Sequence, residues 1–327
     1  GGGAARLVPF PDIALHFTGD GHAVTAAHNL CAAFVDNVLY HQTVDLDPRT
    51  VTWPRVLDVN DRALRHIVTG LNADGRMVRE TRFDITPASE VMAILALAAD
   101  YRDLRRRLGE IVVGFSHDGR PVAAEQLRVA GSMAALLVDA LKPNLVQTSE
   151  QTAAFVHAGP FGNIAHGNSS VVADLIACRL ADVVLTEAGF GTELGAEKFV
   201  HIKCRASGLQ PHAAVLVTTV RGTKAQSGRY RPGAHGASRE VSQEDPEALE
   251  AGLPNLAKHI ENVKAFGLPV VVAVNRFPTD SPRELERLCR AAVEFGADGA
   301  SVVTAYDEGG KGAVELARAV LKAAERP

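Results

Sequence analysis

The sequence predicts an α/β protein: a doubly wound, mostly parallel sheet with a second, smaller α/β domain. Three observations predict it. Apolar runs of strand length alternate with amphipathic runs of helix length along most of the 327 residues. Several apolar runs have no polar face, as a parallel strand covered by helices on both sides requires. The length suits one large or two ordinary domains, enough chain to bury a sizeable core.

Taken in chain order, a long apolar helix is expected from about His22 to Tyr40, with Asp20 or Gly21 of the preceding Gly19-Asp20-Gly21 as its cap. Strands are expected at 111–116 ("IVVGFS"), 144–148 ("NLVQT"), 154–159 ("AFVHAG") and 182–187 ("DVVLTE"). Three more follow at 214–220 ("AVLVTTV"), 269–275 ("PVVVAVN") and 300–306 ("ASVVTAY"). Amphipathic helices fit "SPRELERLCRAAVEFG" at 281–296 and "GAVELARAVLKAAE" at 312–325. The polar stretch 227–247, broken by glycine and proline, reads as a surface excursion or hinge. A boundary near 205–212 divides the chain into residues 1–208 and 209–327.

Composition excludes some classes. The net charge of −4, from 34 basic and 38 acidic residues, carries no basic excess for nucleic acid, though it leaves room for local anion pockets. Cys31, Cys178, Cys204 and Cys289 lie far apart with no Cys-x-x-Cys pair, and the first, second and fourth sit in apolar helical patterns. They read as buried free thiols of a reducing cytoplasm. No apolar run approaches the roughly 20 residues that span a bilayer, and no signal peptide is evident, so no membrane partner is expected. The chain opens inside a glycine-rich stretch, "GGGAARLVPF", without Met, and reads as a piece of something longer.

Five groups of residues carry chemistry. "TEAGFGTELG" at 186–195 places Gly189, Gly191 and Gly195 one residue away from a dinucleotide fingerprint. It reads as a tight strand-to-helix turn, as an anion-holding loop, or, with Arg221 ending the next strand, as part of an NADP site. "VTTVRGTKAQSG" at 217–228 places Arg221 and Lys224 in the loop after a strand, where two cations suit a phosphate or carboxylate unless they are solvated surface charges. "VVVAVNRFPTD" ends in Asn275 and Asp280, which suit a nucleotide base edge, and Phe277, which suits a planar ring, or else it is a plain helix-capping turn. Loops of this kind accompany a phosphate-holding Gly-x-x-x-x-Gly-Lys-Ser/Thr, and none exists in this chain. Tyr306 ends the last strand, so two neighbouring strands would place Phe277 and Tyr306 on one rim as a clamp. His16, Asp20 and His22, with His157 and His166, lack the i, i+4 spacing of a zinc helix and stay open to acid–base or anion roles.

Together, "HFTGDGHAVTAAHNL", "FDITPASEVMAILALAAD", "KPNLVQTSEQTAAFVHAGPFGNIAHG", "VVLTEAGFGTELGAEKF" and "VVVAVNRFPTD" closely resemble formate–tetrahydrofolate ligase. The resemblance covers essentially the whole chain. It implies a P-loop NTPase-like fold, with 1–208 as part of the nucleotide-binding domain and 209–327 on the folate side. It implies that formate attacks the γ-phosphate of ATP and that N10 of tetrahydrofolate then takes the formyl group. ATP, Mg²⁺ and a monovalent cation, K⁺ or NH₄⁺, are implied as cofactors, and a homotetramer as the assembly. His16, Asp20, His22 and His157 fall at the catalytic side, Phe277 and Tyr306 around the pterin, and Arg221, Lys224, Asn275 and Asp280 at the ATP side. Tyr306 stands where the family usually has tryptophan before Gly-Gly-x-Gly, Gln226 where it has histidine, and Thr223 where it has an apolar residue. The resemblance also implies a Walker A segment and a formyl-phosphate arginine upstream, and a C-terminal domain downstream, so the isolated chain is expected to be inactive. An NADP oxidoreductase on Gly189–Gly195 and a non-catalytic folate-binding or assembly remnant are the rival expectations.

Overall fold

The computed structural model describes residues 19–71, 78–230, 232–233, 236–237 and 239–325, so His16 and the glycine-rich opening lie outside the described residues. The chain packs as two compact units, Gly1–Gly189 with His201–Ser207, and Phe190–Val200 with Gly208–Pro327.

The first unit is centred on helix α1, Asp20–His41. Its Val24, Ala27, His28, Cys31, Ala32, Val35, Val38 and Leu39 recur at helical spacing and are all buried. Gly19 rather than Asp20 or Gly21 is its N-cap, because the Asp20 carboxylate is turned to another partner, the backbone N–H of Ala158. Helices α2 (Glu90–Leu97), α3 (Tyr101–Glu110) and α4 (Ala130–Leu136) complete one core with α1. Ser89 and Asp100 cap α2 and α3 through their side chains. Helix α5, Val171–Leu180, is capped by Ser170.

The strands of this unit are short. β1 (Arg55–Leu57) pairs in parallel with β4 (Phe83–Ile85), and β2 (Ile67–Thr69) pairs antiparallel with β3 (Arg79–Thr81). β5 (Val112–Phe115) pairs with β6 (Pro121–Ala123), and β7 (Asn144–Gln147) with β8 (Ala153–Val156), both antiparallel. The mostly parallel sheet expected here is therefore corrected, among the described residues, to two-stranded sheets, one parallel and three antiparallel. The reason is connection length: a parallel pair needs a crossover of a dozen or more residues, and five intervening residues permit only a hairpin. The strand expected at 182–187 is likewise not formed. Its residues have no ladder partner among the described residues, and Val183 and Leu185 are 57% and 82% exposed.

In the second unit the parallel expectation holds. β9 (Ala214–Thr218), β10 (Val270–Asn275) and β11 (Gly299–Val303) form one all-parallel sheet with β10 in the middle. Residues 270–274 of β10 are buried on both faces. Helices α6 (Val220–Ala225), α7 (Pro246–Lys264), α8 (Pro282–Glu294) and α9 (Val314–Ala324) connect and cover the strands. The α7 and α8 side chains pack with Val270, Val272 and Val274, while α9 brings Ala319 to Gly299 and Val271 on the opposite face. Gly252 in α7 lets α6 approach closely, because a Cβ there would strike the carbonyl of Thr223.

Candidate functional site

A parallel sheet sends the loops after its strands to one edge, where open α/β sheets hold ligands. In the second unit that edge is marked by Thr218 opposite Val274 and by Asn275 opposite Val303. After β9, Thr219 caps α6 by accepting from the Gly222 N–H at 2.8 Å, which places Arg221 in the first turn. After β10 the chain closes a tight turn. The Phe277 N–H donates to Asp280 Oδ2 at 2.8 Å and the Asp280 N–H donates to the Phe277 carbonyl at 3.0 Å. Ser281 then caps α8, with Pro282 at its first position. The turn holds the Phe277 ring 39% exposed, and Asn275 is exposed beside it.

After β11, a single helical turn at 305–308 leaves Tyr306 89% exposed, so the strand ends three residues before Tyr306 rather than at it. Two glycines shape this turn. Gly309 adopts φ 62°, and a Cβ on Gly312 would come within 2.5 Å of the Thr304 carbonyl carbon. Phe277 and Tyr306 thus follow adjacent parallel strands, as the clamp reading needed.

The two cations differ. The Arg221 guanidinium carbon lies 4.3 Å from the Phe277 ring centroid, and Nη2 donates to Thr279 Oγ1 at 2.6 Å. Its Nε–H is buried and meets no acceptor among the described residues. Lys224 is not a solvated charge but is 1% exposed, 3.0 Å from Glu284 Oε1, and it donates to the Gln243 carbonyl at 2.7 Å. Glu284 Oε1 also accepts from the Asp245 N–H at 2.9 Å, so Lys224 joins the starts of α7 and α8 to α6. The sequence shows Ser281-x-x-Glu284 as a capping box, which hides this second job of Glu284. Thr279 carried no signal beyond its turn.

In the first unit, Asp20 Oδ2 accepts from the Ala158 N–H at 3.0 Å, bringing the start of α1 to the residue after His157. His157 is buried, with Nδ1 2.6 Å from Ser170 Oγ and Nε2 2.5 Å from the Ala140 carbonyl oxygen, so both ring nitrogens are engaged. His22 is exposed on the first turn of α1. A group without a sequence signal is His28, stacked on Trp53 at 4.1 Å and bonded to Ser89 Oγ and the Pro54 carbonyl. Burial holds its ring at about 4, well below the ordinary histidine value. Lys203, with its ammonium 2.6 Å from Asp174, forms a second buried ion pair. The cysteines are unbridged; Cys31 is buried, with burial pushing its thiol up to about 12, whereas Cys178 is exposed because only the first turns of α5 pack inward.

The Gly189–Gly195 loop departs from a dinucleotide loop. No strand leads into it among the described residues, and Thr192–Ala196 is a π-helical turn. Thr192 Oγ1 is bonded to His259 Nδ1 at 2.6 Å and accepts from Asn262 Nδ2 at 3.2 Å. Among the described residues no group of three or more His, Cys, Asp or Glu is arranged to hold a metal ion, and no helix is long and apolar enough to cross a membrane.

The fold and this edge define a mixed α/β protein whose second unit offers aromatic and cationic side chains at the carboxyl ends of parallel strands. The chain belongs to the formate–tetrahydrofolate ligase family, whose sequence model matches residues 1–327. It is similar to the formate–tetrahydrofolate ligase of Saccharopolyspora erythraea, with 57% identity over 331 residues that cover 100% of this chain and 58% of that protein. Formate–tetrahydrofolate ligase 3 of Rubrobacter xylanophilus is 57% identical over 330 residues, covering 99% of this chain and 57% of that protein. The Aeromonas hydrophila enzyme is 53% identical over 344 residues, covering 100% and 60%. The chain thus spans roughly three fifths of the length of these relatives.

Proposed function

We propose that this chain is part of an ATP-dependent ligase that joins formate to tetrahydrofolate. The observation that carries the reading is the family match along the entire chain. In the reaction, a formate oxygen attacks the γ-phosphorus of ATP and ADP leaves, giving formyl phosphate. N10 of tetrahydrofolate then attacks the formyl carbon, phosphate departs, and N10 loses its proton. Both first reactants are anions, so the protein must supply positive charge and exclude water.

The residues take these parts in the proposal. Phe277 offers its ring face to the pterin, and Tyr306 supplies the second aromatic face. Asn275 and Asp280 line the nucleotide side, with Asp280 also fixing the Phe277 turn. Lys224, held by Glu284, adds positive charge from beneath the edge and keeps α6 in place. His16, Asp20, His22 and His157 serve the catalytic side; His157 does so by seating Ala158 against Asp20. Mg²⁺ would accompany ATP and offset the charge of its phosphates. A monovalent cation, a P-loop NTPase-like parallel sheet completed by the rest of the protein, domains at 1–208 and 209–327, a homo-oligomer and a cytoplasmic location belong to the same reading. Nucleic acid and membrane are not partners in it.

Calorimetry on the chain tests this. Saturable binding of tetrahydrofolate, lost in Phe277→Ala, is the expected result, with ADP formation appearing only when the remaining segments, formate and tetrahydrofolate are all supplied. Absence of folate binding overturns the reading. Saturable NADPH binding would restore the oxidoreductase, and folate binding without ADP formation in the completed protein would favour the remnant.

A further inference from the structure

We infer that Arg221 is a positioning residue for the folate ring rather than an anion holder: its guanidinium covers one side of Phe277 and leaves the ring a single side for a planar ligand. This rests on the folate reading of the second unit.

Three observations carry it. The guanidinium carbon sits 4.3 Å from the Phe277 centroid, within the range of a cation–π contact. Thr279, two residues past Phe277 on the same turn, accepts from Arg221 Nη2 at 2.6 Å, so ring and guanidinium are tied to one another twice. The turn itself is closed by the Asp280 bonds to Phe277, which leaves the ring few ways to move as long as Arg221 stays. A planar guanidinium on a ring is something Arg does and Lys does not, because Lys is a compact point charge. An exposed phenylalanine without such a brace samples rotamers, and a ligand must then freeze it at an entropic cost. With the brace, the ring is already presented edge-fixed and one-sided.

The test has a ligand-free and a ligand-bound arm. In nitrogen-15-labelled chain, the Arg221 Nε–H signal is expected to be shifted by the Phe277 ring current and to lose that shift in Phe277→Leu; no shift in the wild-type chain overturns the brace. Calorimetry then compares tetrahydrofolate and MgATP in parallel. Arg221→Met is expected to weaken folate binding about fivefold with MgATP unchanged, and Arg221→Lys to resemble it, from the strength of a partly exposed cation–π contact. Thr279→Val, which removes only the tie, is expected to weaken folate binding about twofold and stands in should Arg221→Met fail to fold. Folate affinity unchanged in Arg221→Met, MgATP affinity lost in its place, or wild-type affinity in Arg221→Lys each overturns the inference. A Phe277→Ala chain that keeps full folate affinity fails the site reading instead, while the ring-current shift in the wild type would persist.

Discussion

Two runs that the sequence marks as strands meet opposite fates. Residues 270–274, Val-Val-Val-Ala-Val, form the buried centre of a parallel sheet, whereas 182–187, Asp-Val-Val-Leu-Thr-Glu, pairs with no strand among the described residues and exposes Val183 and Leu185. The second run is more polar, with Asp182, Thr186 and Glu187, and it lacks the neighbours of the first. β10 has a strand on each side, β9 and β11, that satisfies its backbone groups, and two helices on the face of its even-numbered valines. Apolarity makes a segment fit to be a strand; only neighbours make it one. The same contrast separates the units: the first buries a helical core with short mixed strands around it, and the second is organised by its sheet.

The contrast can be broken from its supports inward. Removing Glu284 (Glu284→Ala) strands the Lys224 ammonium beneath the sheet edge and is expected to destabilise the second unit by about 4 kcal/mol, read from urea denaturation. A shift under about 1 kcal/mol would mean the pair is solvated and the edge less closed than described. The first unit has its own polar weak point in His28. Its folded value, about 4, lies below the ordinary 6.5, so the unfolded chain binds more protons between those values. Stability is therefore whole above pH 6.5 and falls as the pH drops toward 4, by about 3 kcal/mol in all. His28→Gln should flatten that slope in a pH series of denaturation midpoints, and an unchanged slope would assign it to other groups. Val272→Ala should cost about 2 kcal/mol, because its side chain is fully buried, while Leu185→Ala should change stability by less than about 0.5 kcal/mol. Equal losses at the two positions would show that 182–187 is packed after all. At the sheet edge, Tyr306→Trp should tighten tetrahydrofolate binding about threefold by enlarging the second aromatic face, and calorimetry would show it.

The parts of the molecule that were legible in the sequence are those whose signals are local. Helix α1 was visible from its apolar spacing, β10 from its unbroken apolar run, and the α8 start from Ser281-Pro282. The edge that carries Phe277 and Tyr306 was visible because a strand end and a turn motif adjoin in sequence. What could not be read depends on distant partners. Nothing local tells Lys224 that Glu284 waits 60 residues on, or Arg221 that Thr279 will hold it. Likewise the pattern at 144–156 names two strands but not their direction, which the short turn between them decides. The Asp20 cap failed for the same reason: its carboxylate answers Ala158, 138 residues away.

The chain's single tryptophan, Trp53, is stacked on His28 inside the first unit, while the aromatic pair at the sheet edge is Phe277 and Tyr306. Light absorbed at the red edge of the protein spectrum therefore excites one indole, lying against one imidazole. Its emission is expected to report on the helical core in which both rings are packed. The occupancy of the folate edge has to be watched by other means, and an edge tryptophan installed at position 306 would give the molecule a second lamp.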